Sequence, residues 1–99
     1  MAWRIYLLAS DKRDAVDEIL KDDILWRQTR FFREGPTLGG KKGETFLYME
    51  GIDTAMERAD KMLPPLASRV ETQEAERIYS KIKEEQDNAA QGMGLMFAD

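Results

Sequence analysis

Hydrophobic and polar positions alternate along two stretches of the chain. Residues 3–9 (WRIYLLA) are aromatic and aliphatic, and residues 44–50 (ETFLYME) repeat the alternation. Because successive side chains of a strand point to opposite faces, both stretches predict β-strands. Residues 24–33 (ILWRQTRFFR) predict a third strand, but both of its faces mix apolar and basic residues, so the sequence does not identify its buried face.

Three further segments carry apolar residues at the spacing of an amphipathic helix. They cover about residues 11–22, 53–63 and 72–90. The second segment ends before Pro64, because a proline disfavours the helical conformation of the residue that precedes it. Residues 95–97 (LMF) predict a short last strand.

The order of these elements is strand, helix, strand, strand, helix, helix, strand. This order predicts an α+β fold of the ferredoxin-like kind, βαββα(α)β, with one extra helix before the last short strand. Residues 34–43 are rich in glycine and predict the loop of a hairpin between the second and third strands. We expect residues 1–99 to form a single domain, with an antiparallel sheet in the strand order 4-1-3-2 and the helices on one face.

When helices cover one face of a sheet, the other face is bare. The more aliphatic side of each strand suits the helices, and it carries Trp3, Ile5, Leu7 and Ala9 in the first strand and Thr45, Leu47 and Met49 in the third. The bare face is then expected to carry Arg4, Tyr6, Leu8, Phe46 and Tyr48, with Trp26 or Phe32 as further candidates. An apolar patch of more than a few hundred Å² usually marks an interface or a ligand site.

The simplest use of such a face is self-association. Two sheets stacked face to face would form a homodimer, and symmetric pairs are the commonest oligomers. We therefore expect a small non-catalytic binding or assembly module whose candidate binding residues on this face are Tyr6, Leu8, Trp26, Phe46 and Tyr48. The alternative uses of the same face are binding of a protein partner, or of a small ligand at a carboxylate-lined site between stacked sheets.

Two short motifs suggest a further alternative. Ile5-Tyr6-Leu7 in the first strand, and residues 42–47 (KGETFL) leading into the third, are similar to the paired motifs of the RNA-recognition motif family. The resemblance covers two strands, and it implies that single-stranded RNA would stack on Tyr6 and Phe46. Glu44 stands where that family places an aromatic residue, and its carboxylate would repel phosphate.

The amino-acid composition excludes much metal and catalytic chemistry. The 99 residues include no Cys and no His, which excludes disulfides, Cys/His zinc sites, His-ligated haem and His-dependent catalytic triads. We expect no cofactor and no bound metal. An enzyme built on this chain would need carboxylates, Tyr, Lys or Ser, and no pattern marks one of these as activated. A catalytic role is therefore the weaker hypothesis.

The net charge of the chain bears on its partners, and its first residues bear on its location. The chain carries 19 acidic and 15 basic residues, a net charge of −4, whereas nucleic-acid binders usually carry a basic footprint. We therefore do not expect nucleic acid to be the main partner. Residues 1–4 lead into only five apolar residues, which are too few for a signal peptide or a membrane span. We expect a cytoplasmic protein without membrane contact.

One loop resembles a phosphate-binding pattern. Residues 35–42 (GPTLGGKK) match that pattern except at the end, where Lys42 replaces the hydroxyl residue that holds magnesium. The motif normally leads into a helix whose amides face the phosphate, whereas a strand is predicted to follow here. We therefore expect a solvated hairpin loop. Lys41 and Lys42, with Arg33, are candidates for a basic tip that contacts an acidic ligand or partner.

Overall fold

The computed structural model describes residues 2–97, and the side chains of residues 2–86. Within these residues the chain is an α+β protein with four strands and three α-helices. The elements are β1 (Ala2–Ala9), α1 (Arg13–Ile19), β2 (Thr29–Glu34), β3 (Glu44–Gly51), α2 (Asp53–Met62), β4 (Ser68–Arg69) and α3 (Thr72–Phe97). Short 3₁₀ turns lie at Ser10–Lys12, Leu25–Arg27 and Gly35–Leu38.

The four strands form one antiparallel sheet in the order β2-β3-β1-β4. β1 pairs with β3 along its whole length, from Ala2 opposite Gly51 to Ala9 opposite Glu44. β2 pairs with β3, so the hairpin predicted around residues 34–43 is present. β4 is short and pairs only with Tyr6 and Leu7 of β1.

The register between β1 and β3 decides which side chains share a face, because residues directly opposite each other lie on the same side of a sheet. The observed pairs are Tyr6–Leu47, Leu8–Thr45, Ile5–Tyr48 and Leu7–Phe46. The predicted grouping of Tyr6 and Leu8 with Phe46 and Tyr48 is therefore wrong. A shift of one residue moves a whole strand to the other face, and alternation within each strand does not fix that register.

Both faces of the sheet are covered by helices. On one face, which we call the α1–α2 face, the sheet residues Tyr6, Leu8, Leu47 and Met49 pack with Val16, Leu20, Ala55, Met56, Ala59 and Leu63. On the other, the α3 face, the sheet residues Ile5, Phe46 and Tyr48 pack with Ala75, Ile78 and Ile82. The prediction of a bare face is wrong, because the apolar stripe of α3 packs against the second face.

The end of the chain also differs from the prediction. Residues 95–97 lie in α3, and the fourth strand is instead Ser68–Arg69, which precedes that helix. The Val70 amide donates to the Ile5 carbonyl (2.9 Å) and extends this pairing by one bond. The extra helix therefore follows the last strand rather than preceding it. Glycine costs about 1 kcal/mol in a helix, so Gly92 and Gly94 weaken α3 without preventing it.

The predicted strand over residues 24–33 is shorter than expected. The Asp22 carboxylate accepts hydrogen bonds from the amides of Ile24 (3.1 Å) and Leu25 (3.3 Å). These bonds hold a turn in which Leu25 is buried in the α1–α2 core, and β2 begins only at Thr29. The first predicted helix is likewise shorter, because its start forms a 3₁₀ turn and α1 ends at Ile19.

Candidate functional site

Four of the side chains predicted for a bare sheet face are buried. Tyr6 is fully buried, and Leu8, Phe46 and Tyr48 are each 3% exposed. Tyr6 and Leu8 lie in the core beneath α1 and α2, whereas Phe46 and Tyr48 lie in the core beneath α3. The predicted exposure of these residues is wrong, and the rings on which RNA was expected to stack lie on opposite faces.

The hydroxyl of Tyr6 is bonded within the fold. It donates to Asp60, whose other carboxylate oxygen accepts from Arg4 and from Arg69, each at 3.3 Å. Burial, and then the hydrogen bond to the Asp60 carboxylate, raises the pKa of Tyr6 well above its usual value. These side chains connect β1 with α2 and with β4, so Tyr6 has a structural role in this fold.

Tyr48 has a different environment, although it is also buried. Within the described residues its hydroxyl has no hydrogen-bond partner. Its ring stacks on Phe31, with centroids 5.0 Å apart, and lies 6.0 Å from the ring of Tyr79 on α3. Burial, and then the negative charge of Glu50, raises the pKa of Tyr48 above its usual value.

Trp26 lies in the turn before β2 and is 52% exposed. Ile24 and Ile52 are exposed beside it, and Gln28 ties their backbones together. The Gln28 amide nitrogen donates to the Ile24 carbonyl (3.0 Å), and its oxygen accepts from the Ile52 amide (3.3 Å). Gln28 therefore links the turn before β2 to the residue that follows β3, and three large apolar side chains of these segments are exposed.

Lys41 and Lys42 are exposed in the loop that precedes β3. Three amides of this loop are already used inside it. Gly39 donates to the Pro36 carbonyl (3.3 Å), Gly40 to the Gly35 carbonyl (2.7 Å), and Lys41 to the Glu44 carboxylate (3.3 Å). These three amides are therefore not available to cradle a phosphate as in the resembled motif, which agrees with the expectation of an ordinary hairpin loop.

Among the described residues β2 is an edge strand of the sheet, since only β3 lies beside it in the strand order. Its register with β3 places Arg30, Phe32 and Glu34 on the α1–α2 face, and Thr29, Phe31 and Arg33 on the α3 face. The four residues from Arg30 to Arg33 are all half-buried. An edge strand exposes backbone donors and acceptors that can pair with another chain.

Cationic groups surround the two rings of β2. The Arg13 guanidinium lies 4.7 Å from the centroid of the Phe32 ring, and the Arg33 guanidinium lies 4.4 Å from that of Phe31. Arg33 also pairs with Glu85 of α3 (3.4 Å), and Arg13 pairs with Glu34 (3.4 Å). These ion pairs are largely exposed, so each is expected to contribute at most about 1 kcal/mol to stability.

Arg30 is the exception among these cations. Its Nε atom is buried and has no hydrogen-bond partner within the described residues. A buried donor without a partner costs free energy, and the cost is larger for a charged group. The edge of the sheet therefore holds a cation that lacks an acceptor within the described chain.

In the sequence, apolar and basic residues are mixed on both sides of residues 24–33, and this mixture indicates an edge strand. Arginine and phenylalanine occur on both sides of β2. Charged residues that point inward are typical of edge strands, because they discourage unspecific pairing. The sequence analysis offered Phe32 for the bare face and Arg33 for the basic tip, and it left the buried face of residues 24–33 open, so it did not identify an edge strand.

The opposite edge of the sheet has a groove. β4 pairs with only two residues of β1, and a groove of about 430 Å³ lies beside Leu8, with Leu66 among its lining residues. Lys12 and Glu44 are the charged residues that line it, and it contains no tyrosine.

Metal-binding groups and membrane spans were the two other kinds of feature sought in the part of the chain that the structure describes. Among the described side chains, residues 2–86, no group of three or more His, Cys, Asp or Glu could hold a metal ion. No helix of the described residues has the length and apolar character of a membrane span. Comparison with protein-family models, with curated proteins and with solved structures gave no significant match. The functional inference therefore depends on the geometry of the chain.

Proposed function

We propose that this protein is an assembly module that self-associates through the edge of its sheet. In this proposal β2 pairs with β2 of a second copy in antiparallel orientation, so that two four-stranded sheets become one continuous sheet. The unsatisfied Arg30 Nε on the edge strand is the observation that carries the proposal. The homodimer expected from the sequence is retained in this proposal, but its interface is an edge of the sheet instead of a face.

Symmetry restricts the register of such a pair. A two-fold axis perpendicular to the sheet places residues of the same face opposite each other, so the register must be centred on one residue. Centred on Phe32, it places Arg30 opposite Glu34 of the second copy, and Phe31 opposite Arg33. The two Phe32 rings then lie directly opposite each other.

Neighbouring registers lack this complementarity. A pair centred on Phe31 would place Arg30 opposite Phe32 and leave its charge without a carboxylate. Pairs centred on Arg30 or on Arg33 would place like charges directly opposite, which is destabilising. Only the register centred on Phe32 gives two opposite-charge pairs and two aromatic–guanidinium pairs on these faces.

Glu34 is free to take this role. Within the described residues its carboxylate pairs only with Arg13, at 3.4 Å, and its side chain is 58% exposed. An exposed pair of this kind is worth about 0–1 kcal/mol. A hydrogen bond from the buried Arg30 Nε to the Glu34 carboxylate of the second copy would satisfy a charged donor, which is worth more.

A charge exchange tests this register. Arg30→Glu and Glu34→Arg each place like charges opposite each other, and we expect each to weaken dimerisation roughly tenfold or more. The double variant R30E/E34R exchanges the charges across the pair, and it should restore the wild-type dimer. Sedimentation equilibrium gives the dissociation constants, and circular dichroism confirms that each variant is folded.

Arg27→Glu is the matched control, because Arg27 is exposed and lies outside β2. It should leave the dimer unchanged. A wild-type chain that stays monomeric at high concentration would contradict the proposal. So would a double variant that is no better than the single variants.

We also propose that the architecture is a variant of the ferredoxin-like fold. The alternation of strands and helices from β1 to β4, together with antiparallel neighbours throughout the sheet, supports this assignment. The variant has a two-residue fourth strand and a helix added after it. An experimental structure with another strand order would refute it.

A further inference from the structure

Gly39 brings two cations of α3 together. It has φ +80°, a backbone conformation that favours glycine, and it follows the 3₁₀ turn after β2. A Cβ atom at this position would lie 3.1 Å from Arg77 Nη1 and 3.3 Å from Lys81 Nζ. Because glycine has no side chain, both cationic groups can approach the loop and lie within 3.3 Å of one point.

Only one of the two cations forms an ion pair within the described residues. Arg77 pairs with Glu74 through Nη2 (3.2 Å), while its Nη1 is 3.5 Å from the Leu38 carbonyl oxygen. Within the described residues Lys81 forms no ion pair, and the nearby carboxylate of Glu85 is engaged by Arg33. Like charges this close repel each other unless an anion lies between them.

The adjoining loop adds positive charge to the same region. Lys41 and Lys42 follow Gly39 by two and three residues, and both are exposed. The amides of Gly39 and Gly40 are bonded inside the loop, so an anion here would have to be held by side chains. An arginine next to lysines suits a phosphate, since it supplies directed N–H donors and the lysines supply charge.

We propose that Arg77 and Lys81 bind the phosphate group of a small molecule beside Gly39, with Lys41 and Lys42 at the rim. A phosphate group is favoured over a single carboxylate because it carries close to two negative charges and more acceptor oxygens. A small ligand is favoured over a nucleic acid because the chain has a net charge of −4, which opposes a long polyanion. This site is separate from β2 and goes beyond the assembly function.

Calorimetric titration with inorganic pyrophosphate, at low and at physiological ionic strength, tests the site. We expect saturable binding at low ionic strength that weakens as salt is added. Lys81→Gln should weaken it about tenfold, and the double variant R77Q/K81Q should abolish it. Lys61→Gln removes an exposed lysine of α2 and should leave binding unchanged.

Three results would overturn the proposal. The first is the absence of saturable pyrophosphate binding to the wild-type chain at low ionic strength. The second is a loss of affinity in K61Q as large as that in K81Q, which would show an unspecific charge effect. The third is a clear preference for a single-stranded oligonucleotide over pyrophosphate. Surface substitutions on α3 and α2 leave the core intact, and circular dichroism of each variant confirms this.

Discussion

Two buried tyrosines of the same sheet should respond differently to loss of the hydroxyl group. Tyr6 donates its hydroxyl to the Asp60 carboxylate, whereas the hydroxyl of Tyr48 has no partner within the described residues. The substitutions Tyr6→Phe and Tyr48→Phe remove the same atom and keep the ring. Each is therefore the control for the other.

The expected magnitudes follow from these environments. A hydrogen bond to a charged acceptor contributes about 1.5–3 kcal/mol, so we expect Tyr6→Phe to lower the free energy of unfolding by about that amount. Asp60 keeps its contacts with Arg4 and Arg69, so the loss should not exceed this range. Tyr48→Phe removes a buried polar group that makes no bond, and its effect should be close to zero or stabilising.

Urea unfolding followed by circular dichroism measures both effects, provided that the dependence on urea concentration is the same in all variants. A double-mutant cycle with Asp60→Ala then isolates the coupling between Tyr6 and Asp60. Equal losses of stability in Tyr6→Phe and Tyr48→Phe would refute the reasoning. A coupling energy below about 0.5 kcal/mol would refute it as well.

The remaining predictions concern pH. Burial raises the pKa of Tyr6 in the folded chain. The contribution of Tyr6 to stability is therefore complete below the usual tyrosine pKa of about 10, and it is lost as the pH rises above that value. The urea concentration at the midpoint of unfolding should therefore decrease as the pH rises above about 10, and it should decrease less steeply in Tyr6→Phe. The hydrogen bond from Arg58 holds the pKa of Asp22 well below its usual range. The contribution of this interaction to stability is therefore present above about pH 4 and is lost on further acidification. Asp22→Asn should lower stability at neutral pH and flatten the acid limb of the urea midpoints; an unchanged acid limb would contradict the assignment.

Local signals in the sequence predicted most of the elements. The α+β class, the hairpin of β2 and β3, and helices beginning near Asp53 and Thr72 are all confirmed. These features depend on residues that are close in sequence, such as a glycine-rich loop or apolar residues at helical spacing. They could therefore be predicted without knowledge of the tertiary contacts.

The pairing of faces could not be predicted in this way. Tyr6 and Leu7 belong to different faces, and only the contact with β3 decides which of them lies beside Phe46. The apolar stripe of α3 showed that this helix needs a surface to cover, but not which side of the sheet it would take. Tertiary contacts therefore determined the burial of Tyr48 and removed the predicted bare face.

The edge strand β2 could be predicted from the sequence only in part. The mixture of arginine and phenylalanine on both faces of β2 was visible in the sequence and is typical of an edge. The register centred on Phe32 depends on knowing where β2 begins and ends, and which of its charges lacks a partner. Those facts became available only from the structure, which shows the turn held by Asp22 and the buried Nε atom of Arg30.

Cross-linking through a single introduced cysteine measures the pairing of the two edge strands most directly, since the chain has no cysteine of its own. On a two-fold axis through Phe32, the α-carbons of the two copies lie about 4.5–5.5 Å apart, which suits a disulfide. At position 31 they would lie about 8 Å apart, which is too far. Mild oxidation should therefore convert Phe32→Cys to a covalent dimer and leave Phe31→Cys largely monomeric. Equal cross-linking of the two variants, or none in Phe32→Cys, would contradict pairing through β2 in this register.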